Sequence, residues 1–165
     1  MASSNPANTE LAAVNPFTKE ETLAQVPQRA PFRFIDEIVE LDEDHIVARY
    51  TFREDEDFYR GHFPGNPITP GVILTETMAQ AGVVALGIYL VSREENGRQA
   101  LEKLLTIFTD ATVEFTGTVL PGQRVTTTGT KQFFRRRKLR CEVTMTLDDG
   151  TVVASGTVSG MGVPR

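Results

Sequence analysis

From Arg60 to Leu90 the chain reads R-G-H-F-P-G-N-P-I-T-P-G-V-I-L-T-E-T-M-A-Q-A-G-V-V-A-L-G-I-Y-L, and two regimes meet inside this stretch. Gly61 to Pro70 carries three prolines, two glycines and one histidine, a composition that makes a loop. From Pro70 the sequence turns apolar and predicts a helix to about Val91, on the order of 30 Å long at ~1.5 Å per residue. Thr69 suits the N-cap, and Pro70 at the first helical position gives up no hydrogen bond. Val72, Ile73, Leu74, Met78, Val83, Val84, Leu86, Ile88, Leu90 and Val91 leave no continuous polar face, so the helix belongs in a core. Thr75, Glu76, Thr77 and Gln80 interrupt the apolar run and argue against a membrane span. A carboxylate inside a core is costly when ionised and unpaired, and burial favours its protonated form.

Outward from the helix, the pattern is β. Phe32 to Leu41 predicts a strand with imperfect alternation, Asp42-Glu43-Asp44 a turn, and Ile46 to Phe52 the second arm of a hairpin. After the helix, Ser92 to Gly97 is polar and Gln99 to Leu105 a short helical or irregular connection. Strands are then expected over Thr109–Val119, Arg124–Phe134, Leu139–Leu147 and Thr151–Val158, the last two paired across Asp148-Asp149-Gly150. On the amino-terminal side, Thr18-Lys-Glu-Glu21 fits a capping box for a short helix to about Val26. Residues 1–17 read as a flexible leader and residues 18–165 as a single domain. One long buried helix among so many antiparallel strands predicts an α+β fold with the sheet wrapped around the helix. The exposed sheet edge and remaining apolar surface are natural ground for a second copy of the chain.

A formal net charge of −5 over 165 residues argues against a dedicated nucleic-acid binder, while leaving room for a local basic patch. A single cysteine, Cys141, leaves no internal disulfide and no cysteine-based zinc site. With no charged n-region followed by an apolar h-region, the expected location is cytoplasmic. No P-loop, dinucleotide fingerprint or histidine pair at ligand spacing is present, so no cofactor is called for.

Chemistry concentrates around the helix start. His45, at a turn-to-strand junction, reads as a surface residue. His62 lies in the loop feeding the helix and reads either as a structural histidine or as a base. Glu76 reads either as a carboxylate satisfied by Gln80, one turn on, or as an acid. Together a histidine and a buried acid can divide proton abstraction from proton donation. The first-turn amides of Gly71 and Val72 lack intrahelical acceptors and can hold a carbonyl oxygen that becomes negative. Glu76 lies roughly 9 Å beyond the helix start, so either the loop folds back or the histidine comes from a second chain.

The run G-H-F-P-G-N-P-I-T-P-G-V-I-L-T-E-T-M-A-Q, Gly61 to Gln80, strongly resembles the signature of the FabZ-type 3-hydroxyacyl-[acyl-carrier-protein] dehydratases. Weaker similarity in V-P-Q-R-A-P-F-R-F-I-D-E-I and V-L-P-G-Q extends it over roughly residues 18 to 160. The resemblance implies the hot-dog fold, an antiparallel sheet around one long central helix. It implies His62 as general base, Glu76 as general acid and the Gly71 amide as oxyanion hole, with Phe63 and Val72 beside the substrate. It also implies an acyl-carrier-protein substrate, no cofactor, and a homodimer whose sites take the histidine from one chain and the acid from the other. A hexamer built as a trimer of dimers is the larger assembly consistent with it. Glutamate rather than aspartate at position 76 favours the simple dehydratase over the dehydratase–isomerases.

Three departures stand out. Thr109 to Gly117 replaces a basic segment, Thr69 replaces a commonly apolar residue, and the leader is extra. Arg135, Arg136, Arg137 and Lys138 form a basic block suited either to a solvated hairpin end or to docking an acidic carrier protein. The competing reading is a hot-dog acyl thioesterase, because this fold alone does not fix the reaction.

Overall fold

A computed structural model describes residues 14–165. Most of the leader expected from the sequence lies outside the described residues. Phe17, assigned to that leader, instead belongs to the folded body: it is buried, its N–H donates to Ser92 Oγ at 3.0 Å, and the Arg98 guanidinium lies 4.4 Å from its ring centre. Helix α1, Lys19–Gln25, follows at once. It opens with the expected capping box, in which Thr18 Oγ1 accepts from Glu21 N–H while Glu21 reaches back to Thr18 N–H.

Among the described residues six strands form one antiparallel sheet: β1 Glu37–Leu41, β2 His45–Thr51, β3 Leu104–Phe115, β4 Arg124–Arg135, β5 Lys138–Leu147 and β6 Val152–Pro164, in the order β1-β2-β4-β5-β6-β3. Helix α2, Gly71–Ser92, packs against one face of it, and α3, Gly97–Glu102, links α2 to β3. Although α2 is long and apolar enough to span a membrane, every residue from Thr77 to Leu86 is buried in the protein. Alternation supplies the inward face: Ile46, Ala48 and Tyr50 on β2, and Leu139, Cys141, Val143 and Met145 on β5, are all buried. Met78 and Leu86 on α2 are fully enclosed, each contributing ~1.5–3 kcal/mol of burial.

Midway, α2 passes through a π-helical segment, Gln80–Ala85, that touches β2, β4, β5 and β6. Here helix and sheet meet backbone to backbone. A Cβ on Gly129 would lie 3.1 Å from Gly82 Cα, and one on Gly82 would lie 2.9 Å from Val143 Cγ1. The Gly82 carbonyl accepts from the buried Cys141 thiol at 3.0 Å.

Several boundaries differ from the sequence reading. The first strand spans Glu37–Leu41 only, because Phe32 and Phe34 give their backbone groups to the Gln80 side chain rather than to a neighbouring strand. Pro70 is the N-cap of α2 and Gly71 its first residue; Thr69 does not cap, since its hydroxyl bonds Tyr59 Oη at 2.6 Å. Strand β3 starts earlier than expected and β6 runs to Pro164. Gly156, inside the expected strand, admits the β3 backbone, for a Cβ there would lie 1.9 Å from Thr112 O.

At the free edge, β3 is exposed along nearly its whole length. Leu105 is 42%, Ile107 42%, Phe108 46% and Phe115 47% accessible, an unusual density of apolar side chains on an unpaired edge strand.

Candidate active site

The loop before α2 is held by its own backbone. His62 N–H donates to Phe58 O at 2.9 Å, Ile68 N–H donates to His62 O at 2.9 Å, and Phe63 and Asn66 exchange bonds between them. Thr69 N–H then donates to Val119 O at 2.9 Å, fastening the loop to the approach to β4. The imidazole inherits this rigidity. His62 Nδ1 lies 2.8 Å from Ile68 O, and since a carbonyl only accepts, Nδ1 must carry the hydrogen. In the neutral ring the lone pair therefore sits on Nε2. Phe63, half exposed, stacks on the imidazole with ring centres 4.1 Å apart.

Pro70 O accepts from Ile73 N–H at 2.9 Å and Leu74 N–H at 3.1 Å, closing the first turn of α2. Among the described residues, the Gly71 and Val72 amides have no backbone acceptor of their own. Gly71 lies beneath an aromatic ring: a Cβ there would sit 3.1–3.3 Å from three ring carbons of Phe115 at the end of β3. The Val72 side chain, 76% accessible, points away from the core.

Glu76 is partly buried on the second turn. Burial pushes its carboxyl above the ordinary carboxylate range, and a bond from Gln80 Nε2 to Glu76 Oε1, 2.9 Å, pulls it back in part. Gln80 itself is fully buried and bonded on every side. Sequence spacing pointed to this partner through the i, i+4 relation; nothing local pointed to Phe115 over Gly71, because the contact joins β3 to α2 across the fold.

Within the chain the structure brings Gly71, Val72 and Glu76 onto the first turns of one helix and holds His62 on the Ile68 carbonyl in the preceding loop. No hydrogen bond joins His62 to Glu76 among the described residues. The basic block is elsewhere. Arg135 to Lys138 closes the β4–β5 hairpin, Arg136 and Arg137 adopting φ of 49° and 61°. Arg137 faces Ile88 and Val91 and pairs with Glu94 at 3.5 Å, which places the block at the Ser92 end of the helix, opposite Gly71. His45, as expected of a surface residue, bonds Glu40 at 2.9 Å and Asp42 at 2.8 Å, and the Glu40 bond raises its pKa.

An antiparallel six-stranded sheet packed on one long central helix is the hot-dog fold. Solved structures agree on the fold. The ApeI:P dehydratase heterocomplex of Xenorhabdus doucetiae superposes with a TM-score of 0.68 at 16% identity, covering 87% of this chain and 91% of that one. A thioesterase from Haemophilus influenzae gives 0.63 at 16% identity, covering 91% and 93%. Residues 26–157 match the FabA-like domain. The 3-hydroxyacyl-[acyl-carrier-protein] dehydratase FabZ of Streptococcus pyogenes serotype M3 is 35% identical over 145 residues, 84% of this chain and 94% of that protein. The chain belongs to the FabA-like family, in its FabZ-type dehydratase branch.

Proposed function

We propose that the chain removes water from (3R)-3-hydroxyacyl groups carried as thioesters on an acyl carrier protein, giving trans-2-enoyl thioesters in fatty-acid or related acyl-chain synthesis. The observation that carries this reading is a histidine whose Nδ1–H is committed to Ile68 O, leaving the Nε2 lone pair free, together with a partly buried carboxyl on α2 whose proton affinity is raised. His62 Nε2 takes the proton from C2. Charge moves onto the thioester oxygen, held by the Gly71 and Val72 amides, and Glu76 gives its proton to the C3 hydroxyl. The C3–O bond breaks, C2=C3 forms and water leaves; proton transfer from imidazolium to carboxylate through solvent resets the pair. Each acid–base role is typically worth ~10²–10⁴ in rate.

Two copies build each site in this reading, one giving His62 and the other Glu76. It is supported by the missing bond between the two within one chain and by the apolar, unpaired edge of β3. The Arg135 and Arg136 guanidiniums, free of ion pairs among the described residues, suit an acidic carrier, and a cytoplasmic location goes with that partner. Neutralising both should weaken turnover of carrier-bound substrate and spare a small thioester analogue; equal effects on both substrates would reject docking there.

Product analysis with a short 3-hydroxyacyl thioester tests the reaction. Absorbance of the conjugated enoyl thioester supports the dehydratase. Free thiol without enoyl product would establish a thioesterase instead, the alternative that the fold equally permits.

A further inference from the structure

Gln80 is fully buried, and all of its polar atoms are used. Its Oε1 accepts from Phe34 N–H at 2.7 Å; its Nε2 donates to Phe32 O at 2.9 Å and to Glu76 Oε1 at 2.9 Å. The two peptide groups settle which way the amide faces. Turned over, its NH₂ would oppose the Phe34 N–H and its oxygen would oppose the Phe32 carbonyl, two mismatches in a dry core. The donor aimed at Glu76 is therefore set by the backbone of a separate segment, not by Glu76 itself.

We propose that Gln80 is a positioning residue for the dehydration: anchored on Phe32 and Phe34, it fixes the Glu76 rotamer and occupies Oε1, so that Oε2 carries and delivers the proton. A carboxylic acid has one proton and two inequivalent oxygens here. The oxygen already accepting an N–H is the poorer place for the hydrogen, and without the anchor the group could rotate to offer either. The inference rests on the dehydratase reading, with Glu76 as acid.

Other charges do not compete for this role. Burial and the Gln80 bond alone account for the displaced proton affinity of Glu76. Arg33, on the anchoring segment, directs its guanidinium to Leu23 O and Ile35 O. Asp110 on β3 is engaged by Ser159 of β6 and by Lys138 and Arg140 of β5. Glu114, the other acid of β3, and Glu142 of β5 contribute nothing to the shift. In the proposed dimer, His62 of the second copy is the titratable group opposite.

The test is a pair of substitutions with a pH profile. Gln80→Leu removes the donor, and Gln80→Glu keeps an acceptor for Phe34 N–H while setting a second carboxyl beside Glu76. Both disfavour the Glu76 carboxylate, so both should move the alkaline limb of kcat/KM to higher pH, with kcat down about tenfold or more and KM nearly unchanged. The Glu76→Gln/Gln80→Leu double variant should be no slower than Glu76→Gln alone, since Gln80 acts through Glu76. An unmoved limb, or losses that add in the double variant, overturns the proposal and leaves Gln80 a structural residue. Carbon NMR titration of the Glu76 carboxyl gives a readout that needs no turnover; there the Gln80→Leu value should lie above wild type, and an unchanged value overturns the bond's role. If wild type forms no enoyl thioester, the dehydratase reading fails first, and the proton-delivery role fails with it.

Discussion

His62→Ala is expected to lower kcat/KM for enoyl thioester formation by about 10²–10⁴ while leaving the folded protein intact. The loop does not depend on the ring for its shape: its main bonds are backbone to backbone, from His62 N–H to Phe58 O and from Ile68 N–H to His62 O. Alanine keeps these and deletes only the imidazole. Only the bond from Nδ1 to Ile68 O is lost, and that carbonyl sits at a partly exposed residue where water can replace the donor. His62→Gln is the sharper variant, because an amide can still donate to Ile68 O but offers no basic nitrogen. Both should be inactive to the same degree. Wild-type turnover in either would mean another group abstracts the proton.

The second large effect is at Glu76, where activity and stability should move in opposite directions. Glu76→Gln removes the transferable proton, and a loss of about 10²–10⁴ in kcat is expected. Stability follows from the raised proton affinity. In the folded chain Glu76 holds its proton more tightly than in the unfolded chain, so its share of stability is fully present below the ordinary carboxylate range and is lost as pH rises through the raised value. Glutamine carries no such penalty. Thermal unfolding of the variant should therefore equal or exceed wild type near about pH 8, the difference shrinking towards about pH 5. A variant that is destabilised at every pH would mean the carboxylate is held ionised by partners. Mixing the two inactive variants joins both results: subunit exchange between His62→Ala and Glu76→Gln should regain about a quarter of wild-type activity if each site spans two chains, since half the dimers then own one intact site. No recovery would place both groups in one chain.

How much of this the sequence disclosed depended on how local the cause was. The capping box at Thr18, the hairpin at Asp148–Gly150 and the length of α2 rest on neighbours in the chain, and they were legible. The start of α2 was misjudged by one residue because Tyr59, which claims the Thr69 hydroxyl, meets it only once the loop is folded. Phe32 and Phe34 carry strand-like side chains, yet a glutamine from the middle of a helix takes their backbone groups. The end of β6 was obscured for a related reason: Gly160 and Gly162 lower strand propensity, yet a Cβ on Gly160 would lie 3.1 Å from Ile107 O of β3. At the site, the residue types at 62, 71 and 76 announced themselves through unusual chemistry in an apolar setting. The Ile68 carbonyl and the Phe115 ring did not, since neither a main-chain oxygen nor one more phenylalanine in a strand carries a signature.

The ring of Phe115 resting on Gly71 also constrains how this protein can change over generations. A side chain at 71 asks the phenylalanine ring to give way by a few tenths of an ångström, and a smaller residue at 115 removes the ring that rests there. What either position tolerates therefore depends on the other. Positions 71 and 115 should drift jointly, and one-at-a-time mutagenesis would miss that coupling.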